Sequence, residues 1–498
     1  MTLTTTGLLG LLLFFLSVSI PKTFYVSDNP IEAPRENRVF GGGLPGFDSP
    51  YIGHTGSWDG KGGAMFGASK NPDLDQEAAM GLSWTFMCLN WSTMEPDGPV
   101  DLSQAIPTAW QSVDQFVIEC KERGLNILMQ APVVGGNAGG PPEWAGRREP
   151  DRSAPENMKA AADFAEKLAR RYAPGGTLAS EQEWGEDFGV RAWELDNEPE
   201  SYRTNWKGQA GDYAEFATRI AQRIKSVDPE AVIVMAATAN GAHGGEWLEQ
   251  TLDAHGLAGS PSYRENQKPY SIGPATDAVS FHLYEGLDTF FSGEDRTIGK
   301  AFQEVRTLFE QWESKAKGFE YERKTEYWHT EGNFDFIGML SEERRAAWRW
   351  QFFTRAFASG IRKVAVMDAK PLEQIAVKRY IEVLPAPFPM VRSTRATVVQ
   401  GDASVFHHHS GKDGLRNQHV WIAWADAGKG PATIEIPANA ESATVFTPDG
   451  KGKPTRPIDG VYRIQLEGDE KMAAPKLIVE NVSMQLPSVA PPKTMSTD

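Results

Sequence analysis

Two glutamates stand at the ends of two apolar segments that lie far apart in the sequence. Residues 190–195 lead into Asn197 and Glu198, and residues 325–330 lead into Glu331. Cleaving a glycosidic bond with retention needs two carboxyl groups about 5–5.5 Å apart, one as nucleophile and one as acid and then base. Either glutamate alone is best explained as an exposed loop residue. As a pair at strand ends, Glu198 and Glu331 predict this chemistry.

The segments around these glutamates alternate between strand-like and helix-like patterns. The predicted strands cover residues 39–41, 84–90, 126–131, 190–195, 232–237, 277–284, 326–330 and 363–367. The predicted helices cover residues 73–80, 109–123, 154–172, 213–227, 301–315 and 342–359. Eight such strands favour the α/β class and a (β/α)8 TIM barrel, whose mouth collects the C-terminal ends of all its strands. No Gly-rich phosphate loop follows the first strand, which disfavours a nucleotide-binding sheet.

The chain divides into five segments. Residues 1–20 contain an apolar run of signal-peptide length without a preceding Lys or Arg, so they predict a signal peptide or an uncleaved anchor. Residues 21–37 form a linker, and residues 38–384 form the barrel. Short alternating strands within residues 385–486 predict a smaller C-terminal β-sandwich-like domain. The Pro- and Ser-rich residues 487–498 predict a disordered tail.

Four strand-end motifs resemble those of the retaining glycoside hydrolases of clan A. The motif Trp-Glu-Leu-Asp-Asn-Glu-Pro ending at Pro199 resembles the Asn-Glu-Pro motif of the clan, and Trp-His-Thr-Glu-Gly ending at Gly332 resembles its strand-seven motif. The segment 280–284 is similar to the strand-six motif, and residues 90–96 are similar to the end of strand two. The resemblance covers roughly residues 38–371, and the β-xylosidase-like (family 39-like) members are the most similar.

The resemblance implies a role for each matching residue. Glu198 would be the acid/base, Glu331 the nucleophile, and Asn197 would hold the sugar 2-hydroxyl. Tyr284 would hydrogen-bond the nucleophile. One departure concerns strand eight, which in this clan often ends in a tryptophan under the reactive sugar. Here the strand ends in Met-Asp-Ala-Lys-Pro, at residues 367–371, without an aromatic residue.

Further candidates for sugar binding follow from their positions next to predicted strands. His282 ends strand six, where a structural role is nearly as well supported as contact with a sugar hydroxyl. Trp91 and Trp144 follow strands two and three and are expected to stack on sugar faces, with Trp206 a weaker candidate. Gln130 ends strand three and is expected to reach the sugar.

Composition excludes several other functions. A net charge of −16 without a basic cluster argues against nucleic-acid binding. Cys88 and Cys120 are expected to be buried and unpaired. The adjacent histidines 407–409 cannot converge within one strand, so they are interpreted as structural, and neither a catalytic metal nor a cofactor is predicted.

The sequence therefore predicts an exported (periplasmic or extracellular) retaining glycoside hydrolase that acts on a plant- or microbe-derived oligo- or polysaccharide. An endo-acting glucanase or mannanase remains an alternative to an exo-glycosidase. A non-catalytic carbohydrate-binding protein on a degenerate barrel is the alternative from another class. The predicted partner is the carbohydrate, with no membrane contact apart from the N-terminal anchor, and the oligomeric state is not predicted.

Overall fold

A computed structural model gives the fold of the protein. It describes residues 52–54, 73–134, 140–147, 155–199, 206, 210–238, 276–282, 307, 326–332, 340–367, 369–384, 390–410, 418–470 and 472–480. Eight parallel strands form a closed barrel in which each strand pairs with the next and β8 pairs with β1. Strands β1 to β8 are Ile52–His54, Trp84–Asn90, Asn126–Val133, Ala192–Leu195, Val232–Thr238, Ala278–His282, Glu326–Glu331 and Lys363–Val366. The predicted barrel is confirmed.

The described helices cover the outside of the barrel, which explains why its strands are apolar on both faces. Helices α1 to α8 are Leu74–Met80, Trp91–Met94, Thr108–Glu122, Met158–Tyr172, Thr177–Glu181, Ala210–Val227, Glu342–Ala358 and Pro371–Val383. Asp73, Asn157 and Ser341 start α1, α4 and α7 by accepting a hydrogen bond from a backbone N–H of the first turn. The predicted helix 301–315 lies outside the described residues, apart from Thr307.

The first strand corrects the sequence-based prediction. Ile52–His54 pairs with β2 on one side and with β8 on the other, so it takes the place expected for residues 39–41. Residues 39–41 lie outside the described part of the chain, as do residues 1–38 and 481–498. Within the described residues, no helix is long and apolar enough to span a membrane.

Side chains that alternate along the strands fill the barrel in layers. An apolar plug occupies its centre and includes Trp84, Phe86, Cys88, Leu128, Ala192, Val232, Val234, Ala278, Trp328 and Ala365. The next inward-facing positions toward the strand C-termini are polar, and they support the candidate site described below. Cys88 and Cys120 are both buried thiols, as predicted.

A buried ion cluster holds the last helices of the barrel together. Glu373, at the start of α8, accepts hydrogen bonds from Nε of Arg345 and Nε of Arg349 on α7, both at 2.8 Å. Its carboxylate also accepts the backbone N–H of Lys370 at 2.9 Å. All three charged side chains of the cluster are at most 8% exposed, so each charge depends on its partners. The cluster fixes the segment that follows β8.

The C-terminal domain is a two-sheet sandwich, as predicted. Strands β9 to β17 are Met390–Arg392, Thr397–Gln400, Ala403–Ser410, Gln418–Ala425, Ala432–Pro437, Ala443–Phe446, Gly452–Thr455, Val461–Leu466 and Lys476–Glu480. They form a three-stranded sheet (β10-β13-β16) and a six-stranded sheet (β15-β14-β17-β12-β11-β9). The larger sheet contacts the barrel through α7, where the Arg355 guanidinium lies 5.1 Å from the ring centre of Trp424 and Gln351 donates to the carbonyl of Ala473.

Candidate active site

The turn after β4 places Glu198 through two residues with left-handed backbone conformations. Asp196 has φ 71° and Glu198 has φ 41°, values that non-glycine residues seldom adopt. The Asp196 carboxylate supports this turn by accepting the backbone N–H groups of Asn197 and Val134. Its other oxygen accepts the indole N–H of Trp206 at 2.8 Å. The acidic residue before the Asn-Glu pair therefore shapes the turn.

Strands β6 and β7 deliver His282 and Glu331 side by side. The register pairs Phe281 with His329 and then His282 with Glu331, so Thr330 is an extra residue in β7. A bulge of this kind re-aims the side chain that follows it. Both His282 and Glu331 are buried, at 0% and 5% exposure.

The three side chains converge at the C-terminal mouth of the barrel. His282 Nδ1 lies 2.8 Å from Oε1 of Glu198 and 3.8 Å from Oε2 of Glu331. One ligand-type atom from each of the three residues lies within 4.8 Å of the other two. This carboxylate separation matches the spacing of retaining glycosidases and is much shorter than the roughly 6.5–9.5 Å of inverting ones.

Charge determines the protonation state of His282. Burial alone would lower its pKa, but the negative charge of Glu331 and the hydrogen bond and charge of Glu198 raise the pKa to about 9. The imidazole is therefore a cation at neutral pH and donates its Nδ1–H to Glu198. A protonated imidazole is not a metal ligand, although Glu198, His282 and Glu331 are close enough to share a metal ion.

A buried polar layer lies beneath the carboxylate pair and is centred on Glu194. Its carboxylate accepts the hydroxyls of Ser280 and Thr330 on one oxygen and the amide of Gln130, at 3.0 Å, on the other. Burial raises the pKa of Glu194 to about 7, against the lowering effect of the His282 charge and of these hydrogen bonds. Glu194, Ser280 and Thr330 come from three strands of the barrel, so this layer ties β4, β6 and β7 together.

Asn197 and Gln130, both predicted to contact sugar, form one hydrogen-bonded pair. Gln130 Nε2 donates to Oδ1 of Asn197 at 3.1 Å, and both side chains are buried. Because the Asn197 oxygen accepts this hydrogen bond, its NH₂ group is left to bind a sugar hydroxyl. Gln130 has no exposed surface, so it orients Asn197 and does not itself reach the sugar. Tyr284 lies outside the described residues.

The two tryptophans predicted to be sugar platforms pack against each other. Trp91 is fully buried between Phe164, which stacks on its ring, and Trp144, which meets it edge-on. Its indole N–H donates to the buried Glu95, so Trp91 belongs to the core and the prediction of a sugar contact is corrected. Trp206 is likewise buried, held by Asp196 and packed on Tyr213.

Trp144 is half-buried and lines a pocket of about 200 Å³ on the helix side of the barrel wall. The pocket is lined by Glu95, Pro99, Trp144, Asn157, Lys159, Ala160, Asp163, Phe164 and Lys167. Neither Glu198 nor Glu331 is among them.

Lys370, in the altered end of β8, is exposed, and Asp368 lies outside the described residues.

Sequence reasoning missed Glu194, Ser280, Thr330 and Asp196. Strand alternation was the available indication for Glu194, because it lies between the outward-facing Trp193 and Leu195 and therefore points inward. Thr330 gave no such indication, because its place depends on the bulge in β7. Asp196 could be recognised only once Val134 and Trp206 were known to surround it.

One family model matches the barrel part of the chain. A family model described as cellulase (glycosyl hydrolase family 5) matches residues 89–332, the interval that runs from the end of β2 to the end of β7. The interval contains both glutamates, His282 and Asn197. A search of curated proteins gives no match.

Solved glycosidase structures share the fold of most of this chain at low sequence identity. A glucosidase from Croceicoccus marinus aligns with a TM-score of 0.56 at 14% identity, covering 89% of this chain and 98% of its own. A β-xylosidase from Caulobacter crescentus aligns with a TM-score of 0.53 at 12% identity, covering 87% and 97%. A family 39 glycoside hydrolase from Xanthomonas axonopodis pv. citri aligns with a TM-score of 0.50 at 12% identity, covering 89% and 96%. These similarities confirm the fold.

The protein is an enzyme of the glycoside hydrolase class, as the family match and the architecture together show. It is a glycoside hydrolase of clan A, whose members act with retention of anomeric configuration. The resemblance seen in the sequence motifs is thus confirmed at the level of the clan.

Proposed function

We propose that Glu331 and Glu198 hydrolyse O-glycosidic bonds by double displacement. The observation that carries the proposal is the close approach of the two carboxylates, within 4.8 Å, at the mouth of the barrel. An oxygen of Glu331 attacks the anomeric carbon while the bond to the leaving oxygen breaks. Glu198, in its protonated form, gives its proton to that oxygen. Glu198 then takes a proton from water, whose oxygen displaces Glu331 from the anomeric carbon.

The surrounding residues support both half-reactions. Asn197, oriented by Gln130, holds the 2-hydroxyl of the sugar bound in the reactive subsite. The His282 cation lies within 4 Å of both carboxylates and offsets their mutual repulsion. When Glu331 becomes an ester of the sugar, the charge near His282 falls, and the imidazole binds Glu198 alone. Glu198 is then held as a carboxylate, the form that activates water.

The comparisons and the predicted location support a proposal for the substrate class. The matching family model is named for cellulases, and the structural neighbours include a glucosidase and a β-xylosidase. We propose an exported enzyme acting on a plant- or microbe-derived oligo- or polysaccharide, with glucosides, xylosides and β-1,4-glucans as the first substrates to assay. Release of single sugars would indicate exo action, and early release of oligosaccharides would indicate an endo-acting glucanase or mannanase. N-terminal sequencing of the protein recovered from outside the cytoplasm tests the export proposal.

Trapping with 2-deoxy-2-fluoro glycosides tests the mechanism. We expect one reactive glycoside of the panel to inactivate the enzyme and to add its mass to the peptide that contains Glu331. The Glu331→Gln variant should fold, bind no label and show no turnover. Label on another carboxylate, or a product of inverted anomeric configuration by NMR, would refute the assignment.

The variants at Glu198 separate its role from that of Glu331. Loss of a general acid/base typically costs about 10²–10⁴-fold in rate. Glu198→Ala should therefore lose most activity on natural substrates and far less on aryl glycosides with good leaving groups, because these need no proton. Added azide should restore its turnover and yield a glycosyl azide. Glu95→Gln, at a buried glutamate outside the pair, serves as the matched control for a general loss of stability.

Binding of glycans without turnover by the wild-type protein would instead indicate a carbohydrate-binding protein.

A further inference from the structure

Glu194 and Gln130 lie side by side on neighbouring strands beneath the carboxylate pair. The parallel register of β3 and β4 pairs Gln130 with Glu194, so the two side chains share the inward face of the barrel. Asn197 lies just past the end of β4, in the turn that also carries Glu198. The side chains of Gln130, Glu194 and Asn197 are at most 3% exposed, so water competes little for the hydrogen bonds among them.

One amide nitrogen connects the three side chains. Gln130 Nε2 donates one hydrogen to Oε2 of Glu194, at 3.0 Å, and the other to Oδ1 of Asn197, at 3.1 Å. Its own Oε1 is buried and has no hydrogen-bond partner among the described residues. The amide therefore adopts the orientation that its two acceptors require, although its own carbonyl is left without a hydrogen bond there.

Glu194 prevents a flip of the Gln130 amide. Rotating this amide by half a turn would place its Oε1 against the Glu194 carboxyl oxygen, and two acceptors repel each other. Asn197 alone would not prevent the flip, because its own amide could turn at the same time and present its NH₂ group to Gln130. The carboxyl group has no N–H to offer, so it determines which end of each amide faces its neighbour.

Protonation of Glu194 does not change this arrangement. Its Oε1 faces the hydroxyls of Ser280 and Thr330. The Ser280 hydroxyl can instead donate to the carbonyl of Met235, at 2.9 Å, and accept a hydrogen bond from a protonated Oε1. Oε2 therefore remains an acceptor toward Gln130 in both protonation states.

We propose that Glu194 is a positioning residue for substrate recognition. Through Gln130 it holds the Asn197 amide with its NH₂ group toward the sugar, which makes the 2-hydroxyl a required feature of the substrate. The inference rests on the proposed function, in which Asn197 holds that hydroxyl. An NH₂ group is a donor only, so the hydroxyl oxygen accepts from it and keeps its own proton for a carboxylate of the pair. The preferred substrates are therefore sugars with a hydroxyl at C2, and 2-deoxy sugars lose this contact.

Paired substrates test the proposal. The full-length protein is assayed with 4-nitrophenyl β-glucoside or β-xyloside, whichever it cleaves faster, and with the 2-deoxy analogue of that substrate. Each variant is compared with the wild type on the same substrate, so the different intrinsic reactivities of the two sugars cancel. We expect Asn197→Ala, Gln130→Met and Glu194→Leu to lower kcat/KM on the 2-hydroxy glycoside at least about tenfold more than on the 2-deoxy analogue, because hydrogen bonds to the 2-hydroxyl strengthen in the transition state.

Two control variants separate this role from support of the fold. In Glu194→Gln the amide oxygen can face Gln130 while the NH₂ group donates to the hydroxyls of Ser280 and Thr330, so the selective loss should be absent. Glu95→Gln, at a buried glutamate outside the site, should keep the wild-type ratio of the two rates. Gln130→Met retains Glu194 and tests the same connection if Glu194→Leu does not fold.

Equal losses on both substrates in Gln130→Met, or in folded Glu194→Leu, would show a purely structural role and overturn the inference while the proposed function stands. A selective loss in Glu194→Gln would also overturn it, because the oxygen of that side chain could still orient Gln130. A wild-type protein that cleaves neither these glycosides nor β-1,4-glucans would overturn the proposed function, and the inference with it.

Discussion

The imidazole of His282 should remain protonated well above neutral pH, because it is buried against two carboxylates. The pKa of about 9 exceeds the ordinary value of 6.5, and at 1.36 kcal/mol per pKa unit this difference corresponds to about 3 kcal/mol. Since the folded-state pKa is the higher one, this stabilisation is fully present below about pH 6.5 and is lost as the pH rises through about 9. His282→Gln keeps a side-chain donor near Glu198 but removes the charge.

Titration of ¹³C-labelled histidine side chains by NMR measures this pKa directly. We expect one imidazole resonance with a midpoint near pH 9 in the wild-type protein and its absence from His282→Gln. His329→Gln is the matched control, because His329 is buried on the neighbouring strand against Phe281 and Phe352. That variant should keep the alkaline midpoint. Urea unfolding should show that His282→Gln loses less stability than the wild type when the pH is raised from 6.5 to above 9.

The reasoning fails if every histidine of the wild-type protein titrates near or below pH 7. It also fails if the alkaline midpoint persists in His282→Gln. In either case the side chains of Glu331 and Glu198 would not raise the pKa of His282 as inferred from the geometry.

Three further predictions concern residues around the site and in the core. Glu194→Gln should flatten the pH dependence of stability between about pH 4.5 and 7. The pKa of this glutamate is raised in the folded protein, so its ionisation makes folding less favourable by about 3 kcal/mol. Urea unfolding across this pH range measures the difference from the wild type. Glu373→Gln should lower the free energy of unfolding by about 3–5 kcal/mol, because it leaves the buried Arg345 and Arg349 without their charge partner, and an unchanged melting curve would refute this. Trp91→Ala should lower the free energy of unfolding by about 3–5 kcal/mol, because it leaves a cavity in the core. The Michaelis constant of the folded variant should stay unchanged. A raised Michaelis constant at unchanged stability would restore the interpretation of Trp91 as a sugar platform.

Much of the architecture was evident in the sequence because local patterns encode it. Seven of the eight barrel strands were predicted from strand-like segments of the sequence, and the observed strands coincide with the predicted ones to within two residues. The strand β1, Ile52–His54, was not recognised in this way. It has only three residues, and backbone pairing with β2 and β8 holds it in place. Helix α8 was missed although Pro371, at its first position, is a common helix start.

The sequence by itself determined the chemistry of the candidate site, and the tertiary structure decided which side chains share it. Glu198 and Glu331 could be recognised in the chain because each ends a strand, and all parallel strands of a barrel end at one mouth. The fate of aromatic and amide side chains was not determined in this way. Trp91 and Gln130 both follow the pattern of a strand end, yet one packs between Phe164 and Trp144 and the other orients Asn197. Hydrophobicity does not distinguish a core ring from a sugar platform; only the neighbours brought together by the closed barrel do so.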